Sequence, residues 1–204
     1  MNYLLVAVLG VVLGFFDVLL LALAQKKEMI PIWKSGKIYK QKTLWIVIIG
    51  MALISIYFMW LLDEWHYALG VQMFLCAYLL PLSVVDCKYK ILPDLFHVVY
   101  GIIFVIYKLT CGTWYDLING MIAVVGVFLM MGVIYLLKKE QLGLGDLKTL
   151  CVAAFLVGIP SIVYIFFRSL VVAAIYSIIQ LLRHKADLKT EYPLLPFLVI
   201  GVLI

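Results

Sequence analysis

Five stretches of this chain, 3–24, 44–62, 67–85, 117–137 and 161–182, each run for at least 19 residues and between them carry only two charged side chains, Asp17 and Arg168. A helix of about 20 apolar residues is the length that crosses the hydrocarbon core of a bilayer. Three shorter apolar segments, 95–109, 147–158 and 192–204, complete a set of eight. Segment 95–109 would rise only about 22 Å as a helix, so it is expected to continue towards Tyr115. Segments 147–158 and 161–182 meet at Gly158-Ile159-Pro160-Ser161, read as a tight turn between antiparallel helices. Little chain is left over for anything else. With 67% hydrophobic and 13% charged residues and a mean hydropathy of +1.16, a water-soluble fold would have to expose far more apolar surface than soluble monomers do. The expected fold is all-α: a polytopic integral membrane helical bundle of about eight helices (seven to eight), forming a single transmembrane domain over 1–204. The first stretch is expected to be a retained span rather than a signal peptide. No Lys or Arg precedes Lys26, and the apolar run is too long for an h-region.

Orientation follows from the basic residues. Residues 25–43 carry six lysines, 86–94 carry Lys88 and Lys90, 138–148 carry Lys138, Lys139 and Lys148, and 183–191 carry Arg183, Lys185 and Lys189. These alternate loops hold 14 of the 16 basic residues, whereas the opposite loops hold Asp63, Glu64 and Asp116 with only Lys108 nearby. The basic loops are therefore expected to face the cytoplasm, with both termini outside.

Eleven acidic residues are few enough to audit singly. Solvation in outer loops accounts for Asp63, Glu64 and Asp116, and neutralisation of basic inner loops for Glu28, Glu140, Asp187 and Glu191. Asp17, Asp86, Asp94 and Asp146 are left, in or at the edge of spans, where a carboxylate is costly and by default functional. Asp86 follows one span and Asp146 precedes another, so the topology puts both at the cytoplasmic edge on different helices. If they converge, they cannot both ionise easily: one keeps a proton while the other acts as a base. Such a pair can activate water and protonate a departing amine, the chemistry of an aspartic peptidase.

The neighbours of these two residues suit that role. Gly143 and Gly145 would permit positive φ and close backbone approach beside Asp146. Pro93 marks a break before a new helix, and Asp94 is placed to cap that helix. The blander readings are an ordinary helix cap for Asp94 and a lysine snorkelling to the interface for Lys148. Asp17 and Arg168 could form an intramembrane ion pair. His66, His97 and His184 are scattered, and Cys76, Cys87, Cys111 and Cys151 contain no CxxC pair. Neither set makes a metal site or a disulfide framework, and no cofactor is expected.

The two aspartate motifs together resemble the type IV prepilin peptidase family, which includes the archaeal preflagellin peptidases. That family carries Asp-x6-Pro-Asp after one span and Gly-x-Gly-Asp-x-Lys before another. The counterparts here are Asp86 with Pro93-Asp94, and Gly143 through Gly145 and Asp146 to Lys148. Pro193-x-x-Pro196-Phe197 resembles the family's proline-rich approach to its last helix, and Gly14-Phe15-Phe16-Asp17 its Gly-Ser-Phe-x-Asn pattern. The resemblance implies that Asp86 and Asp146 are catalytic, with Gly143, Gly145, Lys148, Pro93 and Asp94 as active-site support. It also implies removal of a short basic leader from pilin, pseudopilin or flagellin precursors at the cytoplasmic membrane face. The expected partners are such a protein substrate and the lipid bilayer, not nucleic acid.

One departure bears on activity. Many bacterial members have a large cytoplasmic domain between the first two spans, with paired CxxC motifs binding zinc, and they methylate the new N-terminus. Here 25–43 is a short basic loop without cysteine. It cannot build that zinc site, so peptidase activity without N-methyltransferase activity is expected. Its lysines would hold it against anionic headgroups.

Rival readings differ at stated residues. The presenilin and signal-peptide-peptidase kind shares Gly-x-Gly-Asp but pairs it with Tyr-Asp and Pro-Ala-Leu, whereas this chain has Val85 before Asp86 and no Pro-Ala-Leu. A small transporter using intramembrane carboxylates for protons or cations is the alternative from another class. It would call for inverted repeats with broken helices, and none is convincing. A purely structural subunit would leave the two spaced motifs unexplained.

Overall fold

A computed structural model describes residues 3–26, 41–61, 67–90, 92–137, 143–183 and 192–204. Each apolar run becomes a helix, as a backbone without water must satisfy its own polar groups. The described residues form eight: α1 (Tyr3–Lys26), α2 (Gln41–Leu61), α3 (Tyr67–Tyr89), α4 (Asp94–Cys111), α5 (Trp114–Leu137), α6 (Leu144–Val157), α7 (Ser161–Leu182) and α8 (Leu195–Leu203). Among the described residues, four segments are long and apolar enough to cross a membrane: Gly70–Cys87, Asp94–Cys111, Trp114–Ile134 and Ser161–Leu182. Most of the basic loop 25–43, and with it Glu28, lies outside the described residues. So do Asp63, Glu64, His66, Glu140, His184, Asp187 and Glu191.

Burial ranks the helices. The spanning segment of α3 is 67% buried, against 22% for that of α5 and 11% for that of α7. α3 is the hub, packing on α2, α8, α1, α4 and α6. α5 and α7 instead turn large apolar side chains outward, Phe128 and Phe167 among them. A shell of that kind needs lipid around it. α4 is one-sided: Phe96, His97, Tyr100, Phe104 and Lys108 recur at helical spacing on its buried face. Tyr78 of α3 meets this stripe, 5.3 Å from Tyr100 and 5.7 Å from Phe104 between ring centroids. Where helices need to come closer still, small residues allow it. A Cβ on Gly14 of α1 would lie 3.0 Å from the Ile48 Cα of α2.

Three boundaries differ from the sequence expectation. Segment 95–109 does not run on to Tyr115. α4 stops at Cys111, where extended Gly112 caps it and donates to the Lys108 carbonyl at 3.1 Å. The reason lies in the next residues. Asp116 Oδ2 accepts from the Thr113 N–H at 2.9 Å and from Thr113 Oγ1 at 2.7 Å, while the Asp116 N–H reaches Thr113 Oγ1 at 3.3 Å. This reciprocal capping box starts α5 at Trp114, so Asp116 belongs to a helix and not to a loop. α6 likewise begins at Leu144, three residues before the apolar run, which brings Asp146 into its first turn.

The turn expected at Gly158–Ser161 is present. Gly158 has φ 71° and ψ −176°, a region essentially reserved for glycine. Asn119 of α5 clasps the turn from the side, donating to the Ile159 carbonyl at 2.9 Å and accepting its N–H at 3.2 Å.

Candidate active site

Asp86 stands in the last turn of α3. That helix ends because Lys90 takes a left-handed conformation, φ 52°, with its N–H bonded to the Asp86 carbonyl at 3.0 Å. Pro93 is extended, and α4 begins at Asp94 with Pro93 as its N-cap residue. Asp146 stands in the first turn of α6, its N–H bonded to the Gly143 carbonyl at 3.1 Å. α3 and α6 pack together, and the ends that meet carry the two carboxylates. Burial, and then the negative charge of Asp86, push the Asp146 carboxyl up from its ordinary range to about 6, against a smaller pull from the Gly143 backbone. Asp146 thus feels the charge of Asp86 from a separate helix, 60 positions apart in the chain.

Asp86 is the more enclosed of the two. Its carboxylate oxygen Oδ2 is buried with no hydrogen-bond partner. The backbone of Leu195 acts on the same carboxylate, and Leu195 opens α8, whose first turn also holds Pro196. A helix N-terminus offers unpaired N–H groups and a partial positive charge to an anion. Asp86 Oδ2 is thus an acceptor that no described donor fills.

The glycines allow the close approach expected of them, but not through positive φ. Neither takes positive φ; among the described residues Gly158 is the glycine that does. Gly143 is extended, φ −72° and ψ 137°, and what matters is the missing Cβ, which would stand 3.3 Å from Asp146 Oδ2. At Gly145 a Cβ would fall 2.9 Å from Leu92 Cδ1 and 3.1 Å from Leu92 Cβ. Leu92, just before Pro93, therefore lies directly on the first turn of α6. Glycine sets how near the two aspartate motifs can come.

Asp94 and Lys148 are brought together. Asp94 makes no capping hydrogen bond at α4; its Oδ1 accepts from Lys148 Nζ at 2.7 Å. Lys148 thereby ties α6 to α4. Asp17 is not paired with Arg168. It is fully buried and accepts a hydrogen bond from the Tyr100 hydroxyl. A tyrosine was at hand on the adjoining face of α4, whereas Arg168 sits on the outer part of the bundle, on α7.

A second pair extends the polar interior beside Asp17 and Tyr100. The Tyr78 hydroxyl and His97 Nδ1 lie 2.7 Å apart, and His97 Nε2 is buried without a partner. Thr149, one turn beyond Asp146, stands beside the Tyr78 hydroxyl. The motifs alone did not point to Leu92, Leu195, Tyr78 or Tyr100. A weak signal existed in α4, where His97 and Tyr100 follow Asp94 on a face otherwise filled by Phe96 and Phe104.

Comparison with known families places this architecture. The family model for the type IV leader peptidase family matches residues 73–178, just over half of the chain and a range that contains both aspartate motifs. The chain belongs to the type IV leader peptidase family: it is a membrane protein of a peptidase family, and its enzyme class is hydrolase. No significant match is found among curated proteins or among solved structures.

Proposed function

We propose that this protein is an intramembrane aspartic endopeptidase that removes the short basic leader from prepilin-like precursors, with Asp86 and Asp146 as its catalytic pair. The observation that carries this is that α3 and α6 bring Asp86 and Asp146 together from separate helices: Asp86 keeps a buried oxygen without a partner, and its charge, with burial, raises the Asp146 carboxyl. A pair of this kind holds one proton between its members over a range of pH. The ionised member takes a proton from water, whose oxygen attacks the scissile carbonyl. The protonated member donates to the carbonyl oxygen as the tetrahedral intermediate forms. The member that took the proton from water then gives it to the amide nitrogen as the C–N bond breaks, while a hydroxyl of the intermediate returns its proton to the other member, which restores the starting state. Gly143 keeps space open at Asp146, Gly145 brings Leu92 and the Pro93-Asp94 turn close, and Lys148 with Asp94 holds α6 against α4.

The distribution of basic residues supports a cytoplasmic position for this end of the bundle, with both termini outside. That is where a leader rich in Lys and Arg would be presented. The short loop 25–43, without cysteine, supports cleavage unaccompanied by N-methylation.

The test is cleavage in membranes of a panel of prepilin-like substrates by wild type, Asp86→Asn and Asp146→Asn. Each variant should lose at least about 10²- to 10⁴-fold in rate with unchanged membrane insertion. Normal cleavage by either variant would end the assignment of the pair. Mass spectrometry of the product N-terminus should find it unmethylated.

A further inference from the structure

At the end of the bundle away from the aspartate pair lies a cavity of about 380 Å³ among α3, α4, α5, α6, α7 and the end of α8. Its walls include Gln72, Lys108, Asp116, Asn119, Tyr164 and Arg168. Two cations line it, together with one carboxylate and several neutral polar groups. Lys108 is 3% exposed, and its ammonium donates at 2.6 Å to the main-chain carbonyl of Asp116 and sits 5.1 Å from the centre of the Phe155 ring. An ammonium has three donors, so donors remain. Asp116 lies near, but its Oδ2 already caps α5 through Thr113. Arg168 stands about two turns into α7 and makes no ion pair with any carboxylate among the described residues. Gln72 adds a buried Oε1 with no hydrogen-bond partner.

Charges held in such surroundings are costly unless compensated. Asp116 acts on Lys108, but one carboxylate does not balance both an ammonium and a guanidinium. The complement is a compact anion with several acceptor oxygens, and a phosphate suits it: guanidinium binds phosphate through two parallel hydrogen bonds, and the ammonium acts as a point charge. The volume accommodates a phosphate with a small polar substituent but not acyl chains. Those chains have a place outside, because α7 turns Val163, Phe167 and Val171 outward beside Arg168. Tyr164 and Arg168 are themselves exposed, so the cavity can be reached from the lipid side of α7.

We infer that this cavity binds the phosphate of an anionic phospholipid headgroup, held by Arg168 and Lys108, with the acyl chains against the outer face of α7. The site is separate from the aspartate pair and does not depend on what the pair cleaves.

The full-length protein, purified in a neutral detergent, is titrated with phosphatidylglycerol, phosphatidylcholine or inorganic phosphate while its thermal unfolding midpoint is followed. Phosphatidylglycerol should raise the midpoint saturably, and phosphatidylcholine should need at least about tenfold more lipid for the same shift, or about 1.4 kcal/mol. Arg168→Gln should weaken the phosphatidylglycerol response about tenfold or more, and Arg168→Lys should restore part of it. Arg168 is exposed, so its variants keep the test sound even where Lys108→Met fails to fold. An equal response to both lipids, or a phosphatidylglycerol response untouched by Arg168→Gln, overturns the site. Stabilisation by inorganic phosphate through Arg168, with nothing further from phosphatidylglycerol, overturns the lipid and leaves a free-anion site.

Discussion

Lys148 Nζ lies 2.7 Å from Asp94 Oδ1, joining the first turn of α6 to the first residue of α4. Both side chains are at least half exposed, and an exposed pair contributes no more than about 1 kcal/mol. Its effect is on register: it holds the helix of Asp146 against the one that follows the Asp86 turn. Lys148→Ala and Asp94→Asn should each lower cleavage several-fold while shifting the thermal midpoint little. The exchanged double variant Asp94→Lys with Lys148→Asp should recover much of the loss. Additive losses in the double variant would show that the two residues act independently.

Asp146, ahead of the apolar run 147–158, provides a pH signature that can be read without a substrate. Its carboxyl is raised from 3.8 to about 6 by burial and by the charge of Asp86. The folded state therefore holds this proton more tightly than the unfolded chain does. Its contribution to stability is complete below about pH 4 and is lost as pH rises through about 6. Wild type should lose stability across that window relative to Asp146→Asn, which has no proton to release. Parallel stability profiles for the two proteins would contradict the shift. Cleavage should also fall as pH rises above about 6 and the pair loses its shared proton.

At Gly145 a single methyl group should be felt. It would enter within 2.9 Å of Leu92 Cδ1, and overpacking of this kind costs about 1–3 kcal/mol. Gly145→Ala should therefore lower both stability and cleavage. Leu92→Ala in the same chain should relieve part of the stability loss, because it removes the atoms that collide. Denaturation of the two single variants and the double variant measures the coupling directly.

Tyr100 and Asp17 form a buried pair whose members depend on each other unequally. Tyr100→Phe removes the hydroxyl that Asp17 accepts from and leaves a buried carboxyl without a partner on either oxygen. The cost should be about 1–3 kcal/mol. Asp17→Asn in the Tyr100→Phe background should recover part of it, since an amide is cheaper to bury than a carboxylate. A Tyr100→Phe protein as stable as wild type would mean that Asp17 finds another donor.

The helices were legible because a bilayer leaves so few alternatives. Segment 161–182 coincides with α7, and the Gly158–Ser161 turn lies where its residues put it. Boundaries failed where side chains rather than hydropathy decide them. Thr113 and Asp116 start α5 by capping each other, a pattern invisible to an average over apolar residues. The approach of Asp86 to Asp146 could be anticipated from topology, but the means could not. Gly145 works by having no Cβ opposite Leu92, and that requires knowing which helix passes beside it. The partnerships of Asp17 with Tyr100 and of Asp94 with Lys148 span 83 and 54 positions, and no local pattern reports them.

The brevity of α6 has a consequence for the supply of a reactant. Its 14 residues rise about 21 Å, whereas the 22 residues of α7, joined to it by the tight turn at Gly158, rise about 33 Å. Run antiparallel from that shared corner, α6 stops roughly 12 Å short of the far end of α7. Asp146 is at the stopping point. Hydrocarbon is about 30 Å thick, so a helix with the rise of α6 does not cross it alone, and Asp146 stands short of the level at which α7 ends. The proposed hydrolysis consumes a water molecule at every turnover. If Asp86 and Asp146 carry it out, that water has to reach a carboxylate set back from the end of the neighbouring helix, and its supply becomes a demand on the fold as well as on the chemistry.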